Sequence, residues 1–139
     1  MNKIQLPLDV EFREDVRLLI WKPCGLLNEE AVNRVISVLG DLETTLKEPF
    51  NRFTDTVGAH AVDLNFEYII HVSLYRRQVY AERAPVKSAI LATDATLVHY
   101  GKVHSLLTRG SPIKVRVFQD RDETAKWLGV PFKSLASHR

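Results

Sequence analysis

Cysteine and long apolar runs are the two features that the sequence most clearly lacks. Cys24 is its only cysteine, so no disulfide forms within the chain, which suits a reducing compartment. No apolar run approaches the roughly 18–20 residues that cross a bilayer, and residues 1–8 lack the apolar core of a signal peptide. These absences predict a cytoplasmic protein without a membrane span.

Signatures of catalysis and of cofactor binding are also missing. The sequence has no P-loop, no Gly-x-Ser-x-Gly elbow and no Gly-x-Gly-x-x-Gly turn. No two of its five histidines stand at the i, i+4 spacing of a helical metal pair, and His104 is interpreted as a hydrogen-bonded core residue. Cys24 has no visible activator and is predicted to be a buried structural thiol. We therefore expect no metal, no cofactor and no catalytic residue.

Strong charge of either sign is absent as well. The chain has 19 basic and 17 acidic residues, and its formal net charge of +2 is not gathered into a basic run. Nucleic acid is therefore not expected as a partner. The 139 residues, 45% of them hydrophobic, are enough for one core. They predict a single domain over residues 1–139, with residues 133–139 as a frayed tail.

Strand-like and helix-like segments alternate along the chain. A hairpin pairs 8–12 with 16–21, and a loop is expected at 59–65. Asn28, Asn65, Thr93 or Asp94, and Asp120 each stand where a helix N-cap is favoured. The helices are predicted at about 29–48, 66–83 (the longest), 95–109 and 121–128, and the strands that separate them at 50–57, 86–92 and 113–117. This order predicts an α/β fold, with a mostly parallel sheet of about four to five strands and about four helices.

The strand 50–57 is predicted to carry the functional site at its carboxyl end. Phe50, Phe53 and Val57 anchor it in a core, and Asp55 and Thr56 stand where the strand passes into a loop. Ligands of open α/β sheets usually bind at such a position. Alternatively, both polar side chains only satisfy loop amides by local hydrogen bonds. Arg52, in the same strand, completes this set of candidate binding or regulatory residues.

Arg77 is a further candidate, because it falls in the centre of the apolar face predicted for helix 66–83. A buried guanidinium needs a carboxylate, phosphate or carbonyl partner, which makes Asp55 or a bound anion a possible partner. The alternative is that the stem of Arg77 packs while its charged head reaches water.

Val72, Tyr75 and Val79 form a second apolar stripe on the same helix, opposite the face predicted to meet the sheet. A homodimer through this stripe would bury it with one self-complementary surface. The alternative is that the 58–64 loop or the carboxyl-terminal tail covers it.

Three segments resemble the STAS fold, and most closely the SpoIIAA-like group of small bacterial proteins. They are Phe50-Asn-Arg-Phe-Thr-Asp-Thr, Ala84-Pro-Val-Lys-Ser-Ala-Ile-Leu, and Val115-Arg-Val-Phe-Gln-Asp followed by Ala125-Lys-Trp-Leu-Gly. The resemblance implies a cytoplasmic regulatory or ligand-binding domain without a known reaction. STAS anti-sigma-factor antagonists carry a phosphorylatable Ser or Thr after an Asp, at a helix start. Asp55-Thr56 matches that place, but the helix here begins only after Asn65.

Two functional hypotheses from different classes follow. The first is a regulatory or protein-interaction domain that acts by binding an unknown protein partner. The second is a carrier or sensor of a small amphiphilic or anionic ligand, because the fold is also similar to lipid-exchange domains of the Sec14 type. An enzyme ranks third.

Overall fold

Residues 5–136 are described by a computed structural model, in which seven strands and four α-helices alternate along the chain. The strands are β1 (Val10–Arg13), β2 (Leu18–Trp21), β3 (Gly25–Asn28), β4 (Asn51–Asp55), β5 (Ala59–Asp63), β6 (Val86–Leu91) and β7 (Ile113–Phe118). The helices are α1 (Glu29–Leu46), α2 (Phe66–Val79), α3 (Ala95–Leu107) and α4 (Arg121–Leu128), followed by a 3-10 turn at Phe132–Ser134.

The main sheet has five strands in the order β1-β2-β4-β6-β7. β1 pairs antiparallel with β2 through the predicted hairpin, and every other pair is parallel. The predictions of an α/β fold with four helices and of a mostly parallel sheet are therefore confirmed, and the sheet itself is mixed. β4, the strand predicted to carry the site, lies at the centre of the sheet.

A second sheet was not predicted. β3 and β5 form a two-stranded parallel pair, and β5 lies where the sequence indicated a loop at 59–65. Both strands are short, and no residue of β5 is fully buried, so they carry little apolar alternation. This small sheet leads directly into the starts of α1 and α2.

The two larger core clusters lie on opposite faces of the main sheet, because successive side chains of a strand point to opposite faces. Leu19 and Trp21 pack with buried residues of α1 and with Leu97 of α3. Leu18 and Ile20 belong to the core cluster that includes residues of α4. The sheet is therefore covered by α1 and α3 on one face and by α4 on the other.

The carboxyl-terminal segment belongs to the second core, so the prediction of a frayed tail from residue 133 is wrong for the described part of it. Leu135 has no exposed surface and joins the cluster of Leu18 and Phe53, and Ser134 is also buried. Residues 137–139 lie outside the described residues. The segment folds back because it covers apolar surface between α4 and the sheet.

Gly101 sets how closely α3 approaches β7. A Cβ atom at this position would stand 2.7 Å from Cγ2 of Val117, closer than packed carbon atoms tolerate. The missing side chain therefore allows the helix to lie directly on the strand.

Two further predictions need correction. α1, with 18 residues, is longer than α2, which has 14 and ends at Val79 rather than near Arg83. Cys24 is exposed, not buried, because it lies in the connection between β2 and β3. As predicted, none of the helices in the described part of the chain combines the length and the apolar character needed to cross a membrane.

Candidate functional site

α1 and α2 lie side by side and run in the same direction, joined by polar contacts at each end. At their starts, the Tyr68 hydroxyl lies 2.5 Å from Oδ1 of Asn33 and 3.3 Å from the Glu29 carbonyl oxygen. Burial, with a smaller contribution from the Glu29 carboxylate, raises the pKa of Tyr68 to about 12. At the other end, the Tyr80 hydroxyl donates to the Glu43 carboxylate. Between these two contacts the helices face each other with apolar side chains.

A cavity of about 140 Å³, which we call the helix cavity, lies between α1, α2, α3 and the sheet. Four of its lining residues are only half-buried: Val32 and Ile36 of α1, and Ile69 and Val72 of α2. The exposed side of the cavity therefore lies between these two helices. Its lining includes the apolar side chains of Leu19, Leu27, Val35, Leu39, Ile90 and Leu97.

The sheet contributes polar groups to the same cavity. Arg52 and Thr54 are two residues apart on β4, and Ser88 is the register partner of Arg52 on β6. Residues two apart on a strand share a face, so Phe53 and Asp55 point to the opposite side. The helix cavity is therefore apolar toward α1 and carries polar and cationic groups where it meets β4.

Arg52 is the most deeply buried charge at this polar end, with 3% of its surface exposed. Its Nη2 donates to the Glu43 carboxylate at 2.6 Å, and its Nη1 donates to the Tyr80 hydroxyl at 3.1 Å. Its guanidinium carbon also lies 4.7 Å from the centre of the Phe50 ring. The buried Nε of Arg52 finds no hydrogen-bond partner among residues 5–136.

Arg76 of α2 holds a second guanidinium at the same end. Its Nη1 donates to Nε2 of His104 at 3.0 Å, whereas its buried Nη2 has no partner within the described chain. None of the ion pairs found among the described residues includes Arg76. Burial and then the nearby charge of Arg52 lower the pKa of Arg76 to about 10, so it remains a cation at neutral pH.

The contacts of His104 determine which of its nitrogens carries the proton. Arginine only donates, so Nε2 must accept from Arg76. Nδ1 therefore carries the proton and donates to the Ser73 hydroxyl at 2.6 Å, and Ser73 donates in turn to the Ile69 carbonyl oxygen at 2.7 Å. Burial, followed by repulsion from Arg76, lowers the pKa of His104 to about 3. The structure thus confirms the prediction of a hydrogen-bonded core histidine.

This neutral histidine makes stability depend on pH. The pKa of His104 is expected to be near 6.5 in the unfolded chain and is about 3 in the folded chain. Its contribution to the free energy of unfolding is therefore full above pH 6.5 and declines as the pH falls toward 3. Between pH 7 and pH 5, the wild type should lose about 2 kcal/mol more unfolding free energy than His104→Gln. Urea titrations at both pH values measure the difference. His71→Gln, at an exposed position of α2, should keep the wild-type dependence. Equal pH dependence of the wild type and His104→Gln would contradict the assignment.

Asp55 lines a groove at the carboxyl end of β4 and Thr56 lines the helix cavity, but the side chains of both are already hydrogen-bonded within the chain. The Asp55 carboxylate is buried, pairs with Arg121 of α4 and accepts from the Val57 amide at 3.0 Å. The Thr56 hydroxyl is buried and donates to the Leu91 carbonyl oxygen at 2.8 Å. The local and tertiary hydrogen bonds therefore account for both side chains, and their regulatory role stays a prediction.

A wider groove does lie at the carboxyl end of β4, where the sequence predicted the site. Its volume is about 790 Å³, and Cys24, Asp55 and Arg121 are among the residues that line it. The charge of Asp55 is already paired there. The groove therefore offers a less specific binding site than the helix cavity, where a buried cation lacks a carboxylate.

The predicted pairing of Arg77 with Asp55 is wrong. Arg77 is exposed and donates to the carbonyl oxygens of Leu107 at 3.3 Å and Arg109 at 2.5 Å, as in the alternative of a packed stem with an outer head. Its neighbour Arg76 occupies the inward position. The face of α2 predicted to be apolar around Arg77 is not buried, because Phe66 and Leu74 on that face are each about half exposed.

The predicted dimer stripe is not one outer surface. Val72 lines the helix cavity, and Val79 packs against the buried cluster of Tyr80 and Val86. Tyr75 alone of the three is exposed, with 48% of its surface accessible. A homodimer stays a prediction, and these three residues do not form its interface together.

The element order, the mixed sheet and its helical layers define a SpoIIAA-like α/β fold. The fold is similar to a solved structure of an uncharacterized protein of the DUF3478 family from Shewanella loihica PV-4, described as having a SpoIIAA-like fold. The match has a TM-score of 0.54 at 19% sequence identity and covers 86% of this chain and 90% of that one. It confirms the resemblance found in the sequence at the level of the fold. No protein-family model and no curated protein matches the sequence.

Proposed function

We propose that this chain is a binding domain that holds a small amphiphilic anion in the helix cavity, as a carrier or sensor. The observation that supports this function is the half-buried Arg76, whose buried Nη2 stands at the polar end of an apolar cavity without a carboxylate partner. A buried charge is costly unless it is paired, so an anionic group at this position would stabilise the domain.

The charges around the cavity support an anionic ligand. Arg52 and Arg76 are two cations, and Glu43 is the carboxylate that pairs with Arg52. Glu43 also pairs with Arg83, which lies near the surface. The neutral His104 adds no charge at physiological pH. One buried positive charge is therefore left without compensation.

The apolar lining supports a ligand with an apolar body. A cavity of about 150 Å³ lined by aliphatic and aromatic side chains stays dry and binds benzene. The helix cavity is similar in volume and contains mainly leucine, isoleucine and valine at its apolar end. A ligand that combines an apolar body with one anionic group fits both the apolar and the polar end of the helix cavity.

Arg76→Met tests this function, because methionine keeps much of the apolar stem and removes the charge. Small anions with an apolar body should raise the melting temperature of the wild type and have at least tenfold lower affinity for Arg76→Met, a loss of about 1.4 kcal/mol. Thermal shift and calorimetric titration measure both. Arg77→Met, which removes the neighbouring exposed charge, should bind as the wild type does. Failure of every such anion to stabilise the wild type would contradict the function.

A regulatory or protein-interaction role is the second candidate function. Leu74 and Tyr75 expose about half of their surface on the side of α2 that faces away from the cavity. The same helix contributes Val72 and Arg76 to the cavity wall. A partner that binds this outer surface could therefore respond to an occupied cavity. To test this role, the oligomeric state is compared by sedimentation, and partner binding by pull-down, between the wild type and Tyr75→Glu.

A further inference from the structure

We propose that the ligand is a monocarboxylate with a compact apolar body of about the size of a benzene ring, such as a short branched-chain or aromatic acid. This inference rests on the proposed function and specifies the chemical class of its ligand. It depends on three properties of the helix cavity: its free donors, its charge and its volume.

Two buried N–H donors at the polar end of the cavity have no partner in the described chain. They are Nε of Arg52 and Nη2 of Arg76. The guanidinium carbons of these residues lie 5.3 Å and 5.9 Å from the centre of the same Tyr80 ring, so both groups lie beside this ring. A carboxylate has two oxygens that accept strong bonds from guanidinium groups. One carboxylate bound beside this ring would accept from the donors that the protein leaves free.

The uncompensated charge selects a monoanion. Two buried guanidinium groups and the single Glu43 carboxylate leave one positive charge, and a carboxylate supplies one negative charge. A phosphate monoester carries about −1.5 to −2 charges and three acceptor oxygens. Two free donors cannot satisfy all of these oxygens in the cavity. The free-energy cost of removing a phosphate from water is therefore larger than the gain from its hydrogen bonds in the site.

The volume and the apolar lining limit the body of the ligand. A cavity of about 140 Å³ holds a ring or a short branched chain, and a long acyl chain would have to extend past Val32 and Val72 into solvent. Leu27, Val35 and Leu39 of the lining offer no side-chain hydrogen-bonding group, and the hydroxyls of Tyr68 and Tyr100 already have partners within the chain. The body is therefore expected to be an unsubstituted hydrocarbon.

Amino acids are expected to be rejected although they carry a carboxylate. Their ammonium group would lie beside Arg52 and Arg76, two cations that already repel each other. Rejection of an unpaired polar or charged group by a buried site can reach several orders of magnitude. The acid without its amino group is therefore the better ligand.

Calorimetric titration of the full chain with a matched set of probes tests the proposal. Benzoate and 4-methylpentanoate are the expected ligands. Benzyl alcohol tests the charge, phenyl phosphate tests the anion class, dodecanoate tests the size limit, and phenylalanine tests the effect of the ammonium group. Benzoate should bind at least tenfold more tightly than each of these four.

Variants locate the binding site independently of the stability of the fold. Arg76→Met should weaken benzoate at least tenfold and leave the weaker affinity for benzyl alcohol unchanged, which shows that the cavity itself is intact. Val72→Trp, which fills the cavity, should weaken both probes, whereas Tyr75→Trp on the outer side of α2 should weaken neither.

Each contrary outcome overturns a definite part of the proposal. Tighter binding of dodecanoate would overturn the size limit, and tighter binding of phenyl phosphate would overturn the carboxylate class, while either leaves the proposed function in place. Benzoate binding that is unchanged in both Arg76→Met and Val72→Trp would overturn the site. If none of the anions binds to the wild type, the proposed function fails together with the inference.

Discussion

Replacement of Glu43 by alanine is expected to lower the free energy of unfolding by about 3–5 kcal/mol. Glu43 lies in α1, and its carboxylate accepts from Arg52 of β4 at 2.6 Å and from the Tyr80 hydroxyl at the end of α2. Without it, Arg52 would keep its charge at a position that is only 3% exposed. A single half-buried carboxylate therefore controls both the pairing of a core cation and the contact between two helices.

Chemical denaturation of the wild type and of two matched variants measures this effect. Glu48→Ala removes a carboxylate that is 79% exposed and 3.9 Å from Arg17, and it should cost about 0–1 kcal/mol. The double variant Glu43→Leu/Arg52→Met removes both charges and should recover part of the loss. A cost for Glu43→Ala no larger than that of Glu48→Ala would show that Arg52 finds water or another partner.

Replacement of Leu135 by alanine is expected to cost about 2–5 kcal/mol, the range typical of a buried leucine in a packed core. Leu135 has no exposed surface and lies in one cluster with Phe53, Phe118 and Leu128. The loss therefore combines lost apolar burial with an unfilled space between α4 and the sheet.

Lys133→Ala provides the matched control, because Lys133 is exposed two residues earlier in the same segment. Its effect should stay within about 0.5 kcal/mol. Denaturation in urea compares the two variants under the same conditions. Equal stabilities would mean that the segment is frayed in solution, as its sequence alone suggests.

The elements that the sequence predicted well carry strong local signals. Asn28, Asn65 and Asp120 each accept a hydrogen bond from a backbone amide in the first turn of their helix, as a cap residue should. β4 and β6 combine apolar residues with clear terminators, and both are found near the predicted positions. The fold class follows from their order.

The parts that were missed depend on contacts between residues far apart in sequence. α2 carries apolar residues on all sides, so periodicity does not fix which side meets the sheet. Its orientation is determined by Ser73, Arg76 and Tyr80, whose partners His104, Arg52 and Glu43 belong to three other elements. Arg52 was included among the candidate site residues, but the amino-acid sequence gives no indication that Arg76 lies beside it.

The carboxyl-terminal segment was misjudged for a related reason. Leu135 is one apolar residue in a polar stretch, and its burial follows only from the surface that α4 leaves open. β5 likewise lacks buried residues and exists because β3 lies beside it. A single sequence contains no local pattern for either arrangement.

The close approach of α3 to β7 at Gly101 has an evolutionary consequence. A lineage that keeps this helix position cannot acquire a larger residue at 101 alone, because its Cβ would overlap Cγ2 of Val117 at 2.7 Å. A change to a smaller residue at 117 would remove this overlap. Since Gly101 also lines the helix cavity, such a lineage would exchange cavity space for side-chain volume. Covariation between positions 101 and 117 would therefore mark the branches in which this cavity changed its shape.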